Sequence, residues 1–287
     1  MTVIKSITEL KAPKISEVGG KGYSLAVLIN NGFNVPKGFV ITSDTFFEFL
    51  KDNSLIERIE KIVSEINENT FSEKSKEIRD LILNGDLSED IASKIEETLN
   101  ELNAQYVSIR SSAVSEDSLK ASFAGLHDTF LNIKSELELV LENIKRCWAS
   151  LFNERAVIYR IRKEIPHLEG MAVIIQKMIK SDVSGIIFTK HPVINKGLIL
   201  IEAFRGLGDR VAGGEITPDS YTLDRETLQI KDKQLIGNEP LLHEKDIMML
   251  AGMALKVEKV FGYPQDIEFA ISNRKIFILQ SRPIIVL

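Results

Sequence analysis

Residues 266–283, DIEFAISNRKIFILQSRP, place Asp266 two positions before Glu268 and Gln280 two before Arg282, in two apolar stretches joined by Asn273 and Arg274. Residues two apart on a strand share a face, so each pair projects together. Clustered acids and a carboxamide oxygen are hard ligands of the kind that suit Mg²⁺, and a guanidinium binds phosphate oxygens bidentately. Whether all four share one face depends on the turn. A two-residue turn at Asn273-Arg274 pairs Glu268 with Leu279 and sends Gln280 to the opposite face. A three-residue loop over 273–275, or tighter pairing about Asn273, sets Glu268 opposite Gln280 and Asp266 opposite Arg282. The second register is expected, leaving Ile267, Phe269, Ile271, Phe277 and Leu279 for the core. The same spacing also describes a plain cross-strand Asp–Arg ion pair on a sheet surface.

Two further stretches offer phosphate chemistry. SEVGGKGYS sets Lys21 among glycines just before a helix, where backbone amides and an ammonium can meet an anion. It is not a P-loop: Ile15 stands where the first Gly is needed and Tyr23 where Ser or Thr is needed. In SIRSSAVSED, Arg110 ends a strand before two serines, so a guanidinium and hydroxyls could surround phosphate oxygens. Taken singly, Lys21 also fits a surface lysine after a turn, and Arg110 a solvent-facing arginine. GLGDRV lacks the third small residue of a dinucleotide fingerprint, having Val211 there, and is rejected as one. His127, His167, His191 and His243 sit in no metal-ligand spacing.

The surrounding pattern must position these groups. The spaced apolar residues of GKGYSLAVLINNG predict a helix closed by Gly32, VPKGFVIT a strand, and Ser43 a cap for DTFFEFL. Residues 54–102 are Lys/Glu-rich with helical period, broken near NGDLSED, and are expected to form a solvated helical layer. Residues 106–133 suggest strand, functional loop, strand, and helix returns over about 136–164. The last third is strand-rich, interrupted by one amphipathic helix at about 243–261.

With 287 residues, 44% of them hydrophobic, the chain suits two lobes or one large domain. A formal charge of −5 argues against a broad nucleic-acid footprint and leaves room for a small anion held by a few cations. One cysteine, Cys147, excludes an internal disulfide, and no apolar run approaches membrane-spanning length; a cytoplasmic protein with no nucleic-acid or membrane partner is expected.

Taken in order, GGKGYSLAVLINNGFNVPKGFVIT, VSIRSSAVSEDSLKASFAGLHDTFLNI, VIIQKMIKSDVSGIIFT, IEAFRGLGDRVAGGEITPDSYTLD and PQDIEFAISNRKIFILQSRP resemble the N-terminal ATP-binding domain of the phosphoenolpyruvate synthase and pyruvate phosphate dikinase family, found also in rifampin phosphotransferase. The resemblance spans residues 19–283. It implies an α+β fold of the ATP-grasp type, with lobes at 1–175 and 176–287 and a cleft between them for ATP and Mg²⁺. By position, it implies that Lys21 and Arg110 contact phosphates and that Gly125 and Thr129 belong to a loop over the phosphate chain. Gln176 would lie at an adenine-side hinge. Glu268 and Gln280 would hold metal and nucleotide, Asp266 would support the metal, and Arg282 would contact phosphate. Arg110 and Arg282 would be the catalytic pair, and Glu202 matches a nucleotide-side position.

Family enzymes continue into a mobile domain carrying a phosphorylated histidine, whereas this chain ends four residues after Pro283 and has no stretch resembling that motif. The expectation is the ATP-binding half of a split dikinase. It would send the terminal phosphates to a histidine on a separate domain or subunit, release AMP, and serve an acceptor such as pyruvate. The alternatives are a non-catalytic ATP-binding regulatory module and a free-standing small-molecule kinase.

Overall fold

The computed structural model describes residues 4–115, 126–194, 197–207 and 217–284. The chain divides into two units, Met1–Ala26 with Lys37–Met178, and Val27–Pro36 with Ile179–Leu287.

The first unit contains β1 (Ile4–Ser6), most of α1 (Ile15–Asn30), β2 (Gly38–Ile41), α2 (Ser43–Asp52), α3 (Ile56–Ser64), α4 (Phe71–Leu83) and α5 (Glu89–Leu102). It continues with β3 (Tyr106–Ala113), β4 (Thr129–Lys134), α6 (Leu137–Ala149), α7 (Glu154–Lys163) and β5 (Met171–Lys177). Its sheet runs β1-β2-β5-β3-β4, antiparallel at each pairing. Ile91, Ile95 and Leu99 of α5 and Val140, Ile144 and Trp148 of α6 recur at helical spacing and are buried. They share one core with Phe39, Val107, Ile109, Val173 and Ile175 from one face of the sheet. Each such aliphatic side chain contributes roughly 1.5–3 kcal/mol relative to exposure. The Lys/Glu-rich stretch is thus a core-forming layer with only its outer face in solvent. Trp148 lies against Phe46 and Phe49, with ring centroids 5.6 and 4.9 Å away, and its indole N–H donates to the Met171 carbonyl at 3.1 Å.

Three expectations are corrected here. The helix expected over 136–164 is interrupted, because Asn153 is extended and its side chain donates to the Leu126 carbonyl and to Asp128 Oδ1. Ser43 is the first residue of α2 rather than its cap, and its hydroxyl donates to the Ser16 carbonyl. β1 was not foreseen, having only three residues.

The second unit contains β6 (Val183–Phe188), β7 (Leu198–Arg205), β8 (Asp219–Asp224), β9 (Ile230–Gln234), α8 (Glu244–Phe261), β10 (Gln265–Ser272) and β11 (Lys275–Pro283). Its antiparallel sheet runs β11-β10-β6-β7-β8-β9. Alternation gives this sheet two different faces. Ile267, Ile187, Ile201 and Tyr221 stand opposite one another across four strands and are fully buried, as are Ile247, Leu250 and Ala254 of α8, which packs on β10, β6 and β7. β9 was also unforeseen, because IKDKQ is too charged to read as a strand and lies at an edge. At the other edge Asn34 covers β11, its side chain donating to the Ile276 carbonyl and its own carbonyl accepting from the Ile278 amide, both at 2.8 Å. Among the described residues, no helix is long and apolar enough to cross a membrane.

Candidate functional site

The β10–β11 hairpin sets Glu268 opposite Gln280 and Asp266 opposite Arg282. The turn that achieves this differs from the one expected. Ser272 pairs with Lys275 across a two-residue turn in which Asn273 and Arg274 have φ of 49° and 61°, the left-handed pair of a type I′ turn. A bulge then shifts the ladder between Glu268 and Phe269, leaving Leu279 as the extra residue. Without the bulge this turn would place Gln280 on the core face. With it, Asp266, Glu268, Gln280 and Arg282 share the face turned away from α8.

Arg282 is held on that face by Asp266: its Nε and an Nη nitrogen both donate to Asp266 Oδ2 at 2.8 Å. The plain ion pair is therefore present, and it orients a guanidinium beside the Glu268–Gln280 pair. Glu268 also stands opposite Ile186, and Ile186 opposite Glu202, so Gln280, Glu268 and Glu202 lie in one row across β11, β10 and β7. Burial, and then the negative charge of Asp266, push the Glu202 carboxyl above its ordinary range. A cation would relieve that crowding. Among the described residues, no three His, Cys, Asp or Glu side chains group to hold a metal by themselves. Mg²⁺, however, takes one or two carboxylates and completes its shell with water and substrate phosphates. The donor set of Glu268, Gln280 and Glu202, supported by Asp266, fits an ion that arrives with a nucleotide.

In the first unit, the face opposite the core carries the other candidates. Arg110 stands opposite Thr129 on β4 and Ile174 on β5, and Gln176 stands opposite Gly38 and Ser108. Arg110 and Gln176 are buried, whereas Thr129 is exposed at the start of β4. The chain passes into the second unit two residues beyond Gln176, after Met178.

Lys21 is buried and donates to the Ser111 carbonyl at 3.1 Å, next to Arg110 in sequence. Its glycine-rich setting has a structural reason. α1 breaks at Gly19, with φ 70° and ψ 176°, so a fresh helical segment starts at Gly20. Ser112 fastens the break, its hydroxyl donating to the Val18 carbonyl at 2.8 Å and accepting the Gly22 amide at 3.1 Å. A helix start and an ammonium, held against the strand that carries Arg110, are groups of the kind from which an anion site is built.

Gly125 lies outside the described residues. Sequence reasoning missed Ser111 and Ser112 as the partners of the α1 break, although the Gly19-Gly20 pair signalled one. It also missed Arg160, Glu169 and His127. Arg160 sits in YRIRK, which reads as a solvated helix end, yet it has no solvent exposure.

Comparison with known proteins accords with this chemistry. The chain is 36% identical over 311 residues to a probable phosphoenolpyruvate synthase of Methanothermobacter thermautotrophicus, with 97% of this chain and 45% of the relative covered. A probable phosphoenolpyruvate synthase of Archaeoglobus fulgidus is 38% identical over 298 residues, covering 93% and 39%. The rifampicin phosphotransferase of Bacillus cereus is 33% identical over 307 residues, covering 97% and 35%. The chain thus spans less than half the length of these relatives. Residues 15–240 and 234–287 match the pyruvate phosphate dikinase AMP/ATP-binding domain, and it is to this family of nucleotide-binding domains that the chain belongs.

Proposed function

We propose that this chain is the ATP-binding part of a dikinase-type phosphotransferase. In this reading the chain is an ATP-grasp fold, its lobes drawn at 1–175 and 176–287, that binds Mg-ATP. The observation that carries it is the single row of Gln280, Glu268 and Glu202 beside the Asp266-anchored guanidinium of Arg282. Carboxylates, a carboxamide and an oriented cation on one sheet face suit a metal-bound polyphosphate.

Phosphoryl transfer asks mainly for alignment and charge neutralisation. Lys21, Arg110 and the amides after Gly19 would hold phosphate oxygens, Thr129 and, by the resemblance, Gly125 would serve the phosphate chain, and Gln176 would lie toward the base. Arg282, fixed by Asp266, would meet the charge that develops as the terminal phosphates leave. Mg²⁺, held by Glu268, Gln280 and Glu202 with Asp266 in support, would supply charge neutralisation between neighbouring phosphates. The phosphates would pass to a histidine on a separate domain or subunit with release of AMP. One of the two phosphates would then leave as inorganic phosphate and the other would go to an acceptor such as pyruvate, two of the relatives above being named phosphoenolpyruvate synthases and the third a rifampicin phosphotransferase.

Calorimetric titration of Mg-ATP into the chain, with Glu268→Ala alongside, tests this. Metal-dependent binding by the wild-type chain is expected, weakened in the variant by on the order of 1.5–3 kcal/mol. AMP rather than ADP should appear once a histidine-bearing partner is added. Equal affinity in both proteins would overturn the site. ATP binding that alters partner affinity without AMP formation would favour a regulatory module.

A further inference from the structure

The chain on either side of residues 116–125 is tied to one buried ion pair. Glu169 accepts the Ser115 amide at 2.9 Å and the Ser115 hydroxyl at 2.7 Å, one on each oxygen. Arg160, fully buried, donates from one terminal nitrogen to Glu169 Oε1 at 3.0 Å and from the other to the Leu151 carbonyl. The adjacent Ser150 carbonyl meets His127 Nδ1 at 3.2 Å. A polar circuit therefore runs from Ser115 through Glu169, Arg160 and the 150–151 backbone to His127.

A packing role accounts poorly for this circuit. Desolvation offsets the attraction within a buried ion pair, so such a pair adds little stability over apolar residues of the same size. Its geometric effect is clear, however. Ser115 lies two residues past the end of β3, and between them the Val114 amide donates to the Gly170 carbonyl at 3.1 Å. His127 precedes the start of β4, where both the amide and the hydroxyl of Ser111 donate to the Asp128 carbonyl. Between these two fixed ends, Arg110 faces Thr129 and Ser111 holds Lys21.

We propose that Arg160 and Glu169 are positioning residues, which act through the ends of β3 and β4 to set Arg110 and Lys21 for a nucleotide's phosphates. This inference rests on the function proposed above. The electrostatics of His127 agree with it: burial, then the positive charges of Arg160 and Lys21, hold its imidazole far below the usual range, so the circuit lies within electrostatic reach of Lys21.

The test compares Mg-ATP and adenosine binding to the whole chain by equilibrium dialysis, for wild type, Glu169→Gln and Arg160→Lys. Glu169→Gln keeps the side chain's size and removes its charge, and Arg160→Lys keeps charge and loses one donor arm. Each should weaken ATP binding about tenfold, as loss of an orienting partner typically does, and leave adenosine binding within about twofold. Equal losses for both ligands would mean that the pair only supports the fold. Unchanged ATP affinity in folded variants would mean that it positions nothing; either result overturns the proposal. If Glu169→Gln does not fold, Arg160→Lys decides by the same criteria. A wild-type chain that binds adenosine but not ATP overturns the proposed function itself, before any variant is compared.

Discussion

Glu202 shows how one residue's environment shapes its chemistry. It lies half-buried on β7, in the row of Glu268 and Gln280, and its carboxyl is raised by burial and by the charge of Asp266. A raised carboxyl takes up its proton at a higher pH than an ordinary glutamate. Metal-dependent ATP affinity should therefore begin to fall on acidification before the ordinary glutamate range is reached. Glu202→Gln should lower affinity at neutral pH and flatten that acid limb, which calorimetry across a pH series would read. An identical pH profile in wild type and variant would remove Glu202 from the ligand set. Asp266 is tied differently, since one of its oxygens carries two donors from Arg282. A charge-assisted pair of this kind fixes a direction as well as contributing energy.

Two elements matter more for where they break than for where they run. α1 breaks at Gly19, and a Cβ there would lie 2.0 Å from the Ser112 carbonyl oxygen, at a backbone φ of 70° that only glycine adopts without strain. Gly19→Ala should destabilise the chain by about 2 kcal/mol or more and weaken ATP binding, as read by urea unfolding and calorimetry. Wild-type values for both would show that the break adapts. β11 bends at its bulge, with Leu279 as the extra residue. Deleting Leu279 should make the ladder regular and still leave Glu268 opposite Gln280, so metal-dependent ATP binding should persist. Lost binding in a folded deletion variant would mean that the local bend, rather than the pairing, aims the side chains.

At the scale of the whole molecule, a formal charge of −5 coexists with a local cationic patch, Lys21 and Arg160, whose charges both reach His127. His127 makes that patch felt in acid. Burial chiefly, with the charges of Arg160 and Lys21, lowers its pKa from 6.5 to about 3, while Glu169 opposes the shift. The unfolded chain therefore binds a proton below 6.5 that the folded chain refuses until about 3, and stability falls with pH throughout that window. Between pH 7 and pH 5 this single group should remove on the order of 2 kcal/mol. Urea midpoints for wild type and His127→Gln should diverge over that range, the variant losing less. Parallel curves would mean that His127 is solvated in the folded chain.

Helical spacing in α2, α5 and α6 and two-residue alternation in β10 were legible because burial selects apolar residues at the period of each element, whereas on β11 the core face falls to Ile276 and Ile278, opposite Ile271 and Phe269, rather than to the expected Phe277 and Leu279. The order of phosphate-type motifs pointed to the nucleotide-binding family, and Lys21, Arg110, Glu268 and Gln280 stood out because cations beside glycines and paired acids on strands are costly without a task. A β-bulge, however, has no strong local signal, so the residues alone could not reveal that a two-residue turn and Leu279 together set the face of Gln280. Arg160 and Glu169 were equally hidden, because a charged side chain at a helix end, or in the connection before a strand, looks solvated until another element covers it. Residue types and spacing specified which groups the chain carries. Only the tertiary structure decided which of them share a face, which are buried, and which hold the others in place, since those depend on contacts between residues far apart in sequence.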